Sequence, residues 1–379
     1  MDIRRPTPEE TVAVRRLWEL SFPEGGADYV DWVFGGLYRP QEALALYEGG
    51  HMAASLMMVP YTMALRCRAV GVETLSGVDT DPAYRNRGLA KALMAAALRD
   101  MADRGVGLTF LYPFDHCFYT RLGWVTVSHS LEYTCPAVEL PPLPEGWQVV
   151  EEPTVDDLST LYDRAMASYH CRVLRGPGEW ARRLGENRSL QGHPLAVARG
   201  GEVRAYALCE PAEEELNLGE FVAVDPSAAL ALLGALAPLG KAVTWKAPAD
   251  DPLTLLPGRW YGRVHRQPHT MMRVAGLPQA VAALAVADDG QVTVEVTDAL
   301  APWNTGRWQI TARGGAAQAQ PAGGEAGFRC GVGVLCQVFT GALTATKALA
   351  WGLAQGTPEA AAILDRLYPP RNNFTHELY

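Results

Sequence analysis

Arg85, Asn86, Arg87, Gly88, Leu89 and Ala90 lead into an Ala-, Leu- and Met-rich run, GLAKALMAAALRDMADRG, whose spacing predicts an amphipathic helix. Arg-x-x-Gly-x-Ala at a helix start suits a pyrophosphate. The first N–H groups of a helix converge on one concavity, and the helix dipole favours an anion there. Gly88 and the small Ala90 allow close backbone approach, and the forked guanidinium groups of Arg85 and Arg87 match phosphate oxygens. An ordinary helix start with two solvated arginines would read the same in isolation. The setting separates the two readings: a candidate strand over residues 74–80 and a turn at Asp81 and Pro82 come directly before it.

Other residues with reactive side chains carry less. His116 is a candidate base, although histidines in loops are commonly structural, and Asp115 could attract a cationic amine. Cys117 reads as a small core residue rather than a nucleophile. His265 and His269 are four apart, but Pro268 between them argues against a helix and so against a metal pair. No Gly-x-Ser-x-Gly supports a serine hydrolase. For an acceptor pocket the early helices offer Phe22, Asp28, Trp32 and Phe34, and core packing accounts for Trp32 equally well.

The elements that must position these residues occur twice. Ile3 to Arg5, then Thr7 and Glu10, then a helical run through Leu17 and Trp18 form one strand–cap–helix unit. Val149 and Val150, then Thr154 and Asp157, then Leu158 and Leu161 form another. Thr7 with Glu10 fits a capping box, and Thr154 with Asp157 is a looser version. A strand before Gly49 and Gly50 has its counterpart before Gly200 and Gly201, and Val78-Asp79-Thr80-Asp81-Pro82 has its counterpart in residues 222–226. Four features recurring in one order predict a duplicated α/β unit. The second copy reads Asp225-Pro226-Ser227-Ala228-Ala229-Leu230 where the first has its Arg/Gly segment, so the scaffold is repeated without the phosphate cradle.

A third region is α+β. Residues 271–285 predict a strand, a turn and a short helix; residues 291–297 alternate as a half-buried strand does; residues 308–313 predict another strand. Residues 314–327 read as a loose loop, and helices are expected over 331–340, 342–352 and 358–367. The expected division is 1–135, 136–268 and 269–379.

Composition bounds the function. The 379 residues carry a net charge of −9, with 48% hydrophobic and 20% charged residues. That is a globular chain without the basic excess of a nucleic-acid binder. No run of eighteen apolar residues could span a bilayer, and the first residues show no secretory pattern. Seven cysteines, odd in number and without a CxxC, point to reduced thiols in the cytoplasm.

VDTDPAYRNRGLAKALM resembles the acetyl-CoA motif of the GNAT superfamily of N-acetyltransferases, and FYTRLGW over residues 118–124 resembles a further element of that superfamily. Two such units followed by an α+β domain are similar to the Eis (enhanced intracellular survival) acetyltransferases, whose third domain is similar to sterol carrier protein. The resemblance covers essentially the whole chain. It implies two tandem GNAT-like mixed-sheet domains and a sterol-carrier-protein-like α+β domain. It also implies acetyl-CoA as cosubstrate with no metal, a small cationic or lysine-type amine as acceptor, and a homo-hexamer. The backbone of Val78, Asp79 and Thr80 would hold the acetyl and pantetheine groups, and residues 85–90 the pyrophosphate. Tyr119 falls on the family's general acid, a phenol that is protonated at neutral pH. The α-carboxylate of Tyr379 falls on its base. The family's acid next to last is replaced by Leu378, with Glu377 one place earlier. Phe22 and Trp32 stand as acceptor contacts. A ligand-binding protein that works through the third domain, with the GNAT units as scaffold, is the rival expectation.

Overall fold

The computed structural model describes residues 1–23, 26–255 and 263–377. Tyr379 and Leu378 lie outside the described residues. The first third runs β1 (Asp2–Arg4), α1 (Thr11–Ser21), α2 (Gly26–Trp32), β2 (Ala43–Glu48), β3 (His51–Leu65) and β4 (Arg68–Thr80). After these come α3 (Leu89–Asp103), β5 (Leu108–Leu111), α4 (His116–Arg121) and β6 (Val125–Thr126). The second third runs β7 (His129–Cys135), β8 (Trp147–Val150), α5 (Val155–Ala165), β9 (Arg172–Val173), α6 (Pro177–Ser189) and β10 (His193–Arg199). It continues with β11 (Glu202–Pro211), β12 (Glu215–Ala223), α7 (Pro226–Leu236), β13 (Ala242–Pro248) and β14 (Arg263–Pro268).

The duplication is explicit in the sheets. The first has the order β1-β2-β3-β4-β5-β15-β6, where β15 is Met271–Val274; the second has β8-β10-β11-β12-β13-β7-β14. Matched position by position, the two orders are one topology, with a single parallel pair at the same place in each, β4 with β5 and β12 with β13. The sixth positions are exchanged relative to the expected division: β7, inside 1–135, joins the second sheet, and β15, beyond 268, joins the first. Sheet membership therefore crosses the chain positions 135 and 268, and each unit is completed by a strand from outside its own segment.

The third unit packs its sheet against helices. β16 (Gly290–Thr297), β17 (Gly306–Arg313), β18 (Ala316–Pro321), β19 (Phe328–Gly331) and β20 (Ala354–Gly356) lie in the order β18-β17-β16-β19-β20. The helices are α8 (Leu277–Ala283), α9 (Val332–Thr340), α10 (Ala345–Ala350) and α11 (Pro358–Leu367). Residues 316–321 pair along β17 as a strand, which corrects the loose loop expected there. The Gly/Ala/Gln composition hid it, because the only apolar positions are alanines, and the turn is confined to Gly314 and Gly315. Val294, Leu335, Phe339 and Leu364 share one core with Val59, Phe110 and Met272. Arg273, fully buried, ties the units together by donating to Asp298 at 2.5 Å and to the Leu122 carbonyl at 2.8 Å.

Both expected capping boxes form: Thr7 with Glu10, whose carboxylate accepts from the Thr7 N–H at 2.8 Å, and Thr154 with Asp157, which bond reciprocally at 3.1 Å. Helix α3 buries Leu89, Leu93, Met94, Ala97, Leu98 and Met101 along one face against β2, β3 and β4. Each large side chain buried this way stabilises the fold by about 1.5–3 kcal/mol, and together they fix the start of α3 against the end of β4. Among the described residues no helix is long and apolar enough to cross a membrane.

Candidate active site

β4 and β5 pair only through Glu73 with Thr109 and Thr74 with Phe110. Beyond Thr74 they part, leaving the β5-facing edge of residues 75–80 without a partner strand among the described residues. The base of this opening is fastened by Thr109 Oγ1 donating to the Glu73 carbonyl at 2.7 Å, and by the two amino groups of Arg104 on the buried Glu73 carboxylate at 2.5 and 2.8 Å. Within the opening β4 bulges, and its register to β3 slips between Ser55 and Met57. Gly77 has φ +57°, and a Cβ there would stand 2.0 Å from the Trp18 ring. Only glycine lets α1 lie this close to the bulge.

The bulge frees the Ser55 N–H, and Asp79 takes it. Its Oδ1 accepts from the Ser55 amide and hydroxyl, both at 2.7 Å, while Oδ2 is buried without a partner. Burial pushes the carboxyl up to about 8, against the downward pull of the two Ser55 bonds. The folded chain thus holds this proton more tightly than the unfolded one, whose carboxyl titrates near 3.8. The stability it contributes is complete below about pH 4 and is lost as pH rises through about 8. Asp79→Asn keeps an acceptor for Ser55 and cannot ionise. Relative to the wild type its melting temperature should climb as pH rises from about 4 to about 8 and level off above that, and an identical pH dependence in the two proteins would remove Asp79 as the source.

The turn between β4 and α3 builds the cradle. Asp81 Oδ1 accepts from the Ala83 N–H at 2.9 Å, and Asn86 and Gly88 take left-handed conformations at φ +61° and +78°. A Cβ on Gly88 would meet nothing within 4 Å, so glycine is required there by conformation and leaves open space above the helix. No side chain caps α3, which leaves its first-turn N–H groups available. Arg85 is exposed. Arg87 is engaged by Glu48 at 2.6 Å and lies over the Tyr84 ring. Leu89 points into the core, so it offers the site only its backbone N–H. Val78 is half-buried against the α3 side, and the Thr80 carbonyl accepts from Arg85 Nε at 3.4 Å.

The second copy closes the same place with its own charge. Asp225 caps α7 by accepting from the Ala228 N–H at 2.9 Å, and Arg204 binds its other oxygen at 2.6 Å. An anion at α7 would meet a carboxylate; at α3 it meets free N–H groups and Arg85.

Tyr119 closes the α3 side of the opening. Asp115 caps α4 by accepting from the Cys117 and Phe118 N–H groups at 2.7 and 3.2 Å, and this aims Tyr119 inward. The residue is 4% exposed and shares a core cluster with Leu75, Met94 and Leu111. Its ring meets Phe114, Phe118 and Trp124 edge-on. Burial pushes its phenol up to about 12, and no described residue hydrogen-bonds the hydroxyl.

Residues 2–127 match a family described as Acetyltransferase (GNAT) domain, residues 171–274 match a second family of that description, and residues 277–376 match Sterol carrier protein domain. The chain is a tandem GNAT protein with a sterol-carrier-type third unit. An uncharacterized N-acetyltransferase of Streptomyces coelicolor is 28% identical over 276 residues. That match spans 64% of this chain and 64%, just under two thirds, of the relative's own length. A probable N-acyltransferase of Enterococcus faecalis has the same fold over 100% of this chain and 99% of its own, with TM-score 0.87 at 20% identity. Eis1 of Mycobacterium abscessus is also similar over the full length of both chains, with TM-score 0.77 at 21% identity. At these identities the likeness to solved structures is one of fold.

In the first GNAT unit Phe22 ends α1, 37% exposed, with its ring 4.6 Å from Trp18 and so beside the β4 bulge. Phe34 meets Trp18 edge-on, with ring centroids 6.2 Å apart. Trp32 lies elsewhere, at the seam with the second GNAT unit, where α6 approaches through Gly185. Asp28 is bonded to Gln191 across the same seam. Asp115 is occupied as a helix cap, and Cys117 sits exposed on α4, which corrects its reading as a core residue. His116 has a buried, unpartnered Nε2, and burial lowers its pKa.

What the sequence did not reveal is which residues anchor the tail. Phe374 stacks on His269 at 5.2 Å, His269 meets Tyr112 just beyond β5, and the Thr375 carbonyl bonds His269 Nε2 at 3.0 Å. Glu377 accepts from Arg175 Nε at 2.8 Å, and Arg175 binds Glu220 through both amino groups at 2.8 and 2.7 Å. Arg175, Glu220 and Glu377 are widely separated and individually ordinary in sequence; only the fold brings them together. Residues 374–377 are thereby buried, Phe374 within one core cluster with Tyr162, Trp180 and Tyr206 of the second unit, and the His269–Tyr112 contact links this anchor to the end of β5.

Proposed function

We propose that the chain transfers the acetyl group of acetyl-CoA to a primary amine, carried by a small cationic molecule of aminoglycoside type or by a lysine side chain. The observation that carries this reading is the contrast between two equivalent helix starts, uncapped and cationic at α3 but sealed by Asp225 at α7. Acetyl-CoA supplies the activated acyl thioester. The first-turn N–H groups of α3 and Arg85 hold its pyrophosphate, and the unpaired edge of residues 75–80 hydrogen-bonds its pantetheine arm. Tyr119 gives a proton to the departing thiolate sulfur. On the resemblance to the Eis proteins, the α-carboxylate of Tyr379 takes the proton from the amine; burial of the tail through Glu377 supports its delivery. The same resemblance supports a homo-hexamer, and seven unpaired thiols suit the cytoplasm.

A second reading of the base is favoured by Asp79, whose buried oxygen lacks a partner and whose carboxyl burial pushes up to about 8. Both readings are tested by thiol release from acetyl-CoA against polyamines, aminoglycosides and lysine peptides. Release should depend on the acceptor, and deleting Leu378 and Tyr379 should remove most of it while leaving CoA binding intact. Normal turnover by the truncated chain would move the base to Asp79. Absence of CoA binding in the full chain would sink the acetyltransfer reading and favour the ligand-binding one.

A further inference from the structure

The second GNAT unit has its own parting of strands. β12 and β13 pair in parallel from Glu215 with Ala242 to Leu218 with Trp245, and then separate. Between their ends lies a cavity of about 240 Å3. Met166, Phe221, Val222, Ala229, Ala247 and Leu253 line it and are buried. One further wall comes from the far end of the chain, the side chain of His376.

His376 is 4% exposed, and burial drops its pKa to about 4, so its ring is neutral at physiological pH. Neither ring nitrogen has a hydrogen-bond partner among the described residues. The charged side chains lining the cavity are Asp225 and Asp251, so a phosphate or carboxylate would meet like charge. At about 30 Å3 per liquid water the volume holds about eight waters, or an organic molecule of similar atom count. Apolar walls with few polar groups favour the organic molecule.

We propose that this cavity is a second binding site, for a small uncharged aromatic molecule carrying one hydroxyl or N–H group. Its ring lies among Tyr169 and Phe221, and its polar group bonds the imidazole of His376. The site does not depend on acetyl transfer. Because His376 is the neighbour of Glu377, which Arg175 holds, the ligand binds the docked tail in preference to an undocked one. By linkage it strengthens that docking.

The test titrates the full chain with phenol and with indole, followed by ligand-observed NMR, with and without saturating CoA. One saturable site per chain, indifferent to CoA, is expected. His376→Phe, which keeps the buried ring and removes the nitrogens, should weaken phenol at least about tenfold. Ala229→Leu, which fills the cavity, should abolish binding. Lack of saturation, displacement by CoA, or equal affinity in both variants would overturn the proposal. If Ala229→Leu does not fold, the anomalous signal of 4-bromophenol in crystals decides: bromine beside His376 supports the site, and bromine elsewhere alone overturns it.

Discussion

Tyr119→Phe should lower kcat by about 10²-fold or more, the range for a lost general acid, and leave CoA affinity and melting temperature unchanged. The substitution is clean because of what the hydroxyl does not do. No described residue bonds it, so its removal breaks nothing internal, and phenylalanine keeps the edge-on contacts with Phe114, Phe118 and Trp124. With burial raising the phenol to about 12, the proton stays in place through the working pH range. The rate should therefore show no alkaline fall from this group below about pH 11. An unchanged kcat would remove Tyr119 from the reaction. A large loss of stability would mean that the ring environment, not proton donation, was altered.

Arg175→Leu should destabilise the chain by about 3–5 kcal/mol, the usual result of removing one partner from a buried ion network. Arg175 and Glu220 are both buried, and the guanidinium lies over the Tyr162 and Trp180 rings at 4.1 and 4.8 Å. Among the described residues, leucine would leave Glu377 with Thr375 and Glu220 with Tyr206 and Arg183. Burial alone would raise the Glu220 pKa; Arg175 foremost, with His376 and Arg183, overrides it and holds it well below the usual carboxylate range. A depressed carboxylate contributes stability that is full above its unfolded value near 4.5 and is lost as pH falls below it. The wild type should thus lose stability in acid, and the variant should lose less there because the contribution is already gone. Urea unfolding across pH 2–7 measures both. Stability within about 1 kcal/mol of wild type at pH 7 would contradict the network's role.

The cradle was legible in sequence because it is local: Arg85 to Ala90 follow one another, and the conformations of Asn86 and Gly88 need no distant partner. The duplication was legible because caps and hairpin glycines recur in order. The exchange of β7 and β15 was not, since the alternation of residues 129–135 and the short buried run Met271–Val274 could be accepted by any neighbouring sheet. Asp79 was marked for its backbone, and its side chain gained its role from a register slip that a strand pattern does not record. Trp32 was offered as an acceptor contact because it is an aromatic residue on an early helix, with core packing an equal account, whereas the contact that positions it comes from Gly185, far along the chain.

The most direct test of a single cofactor site in the first unit is calorimetric titration of the full chain with CoA. The account predicts one site per chain, weakened in Arg85→Ala and unchanged in Arg204→Ala. Two equivalent sites per chain, or binding lost with Arg204 rather than Arg85, would contradict it.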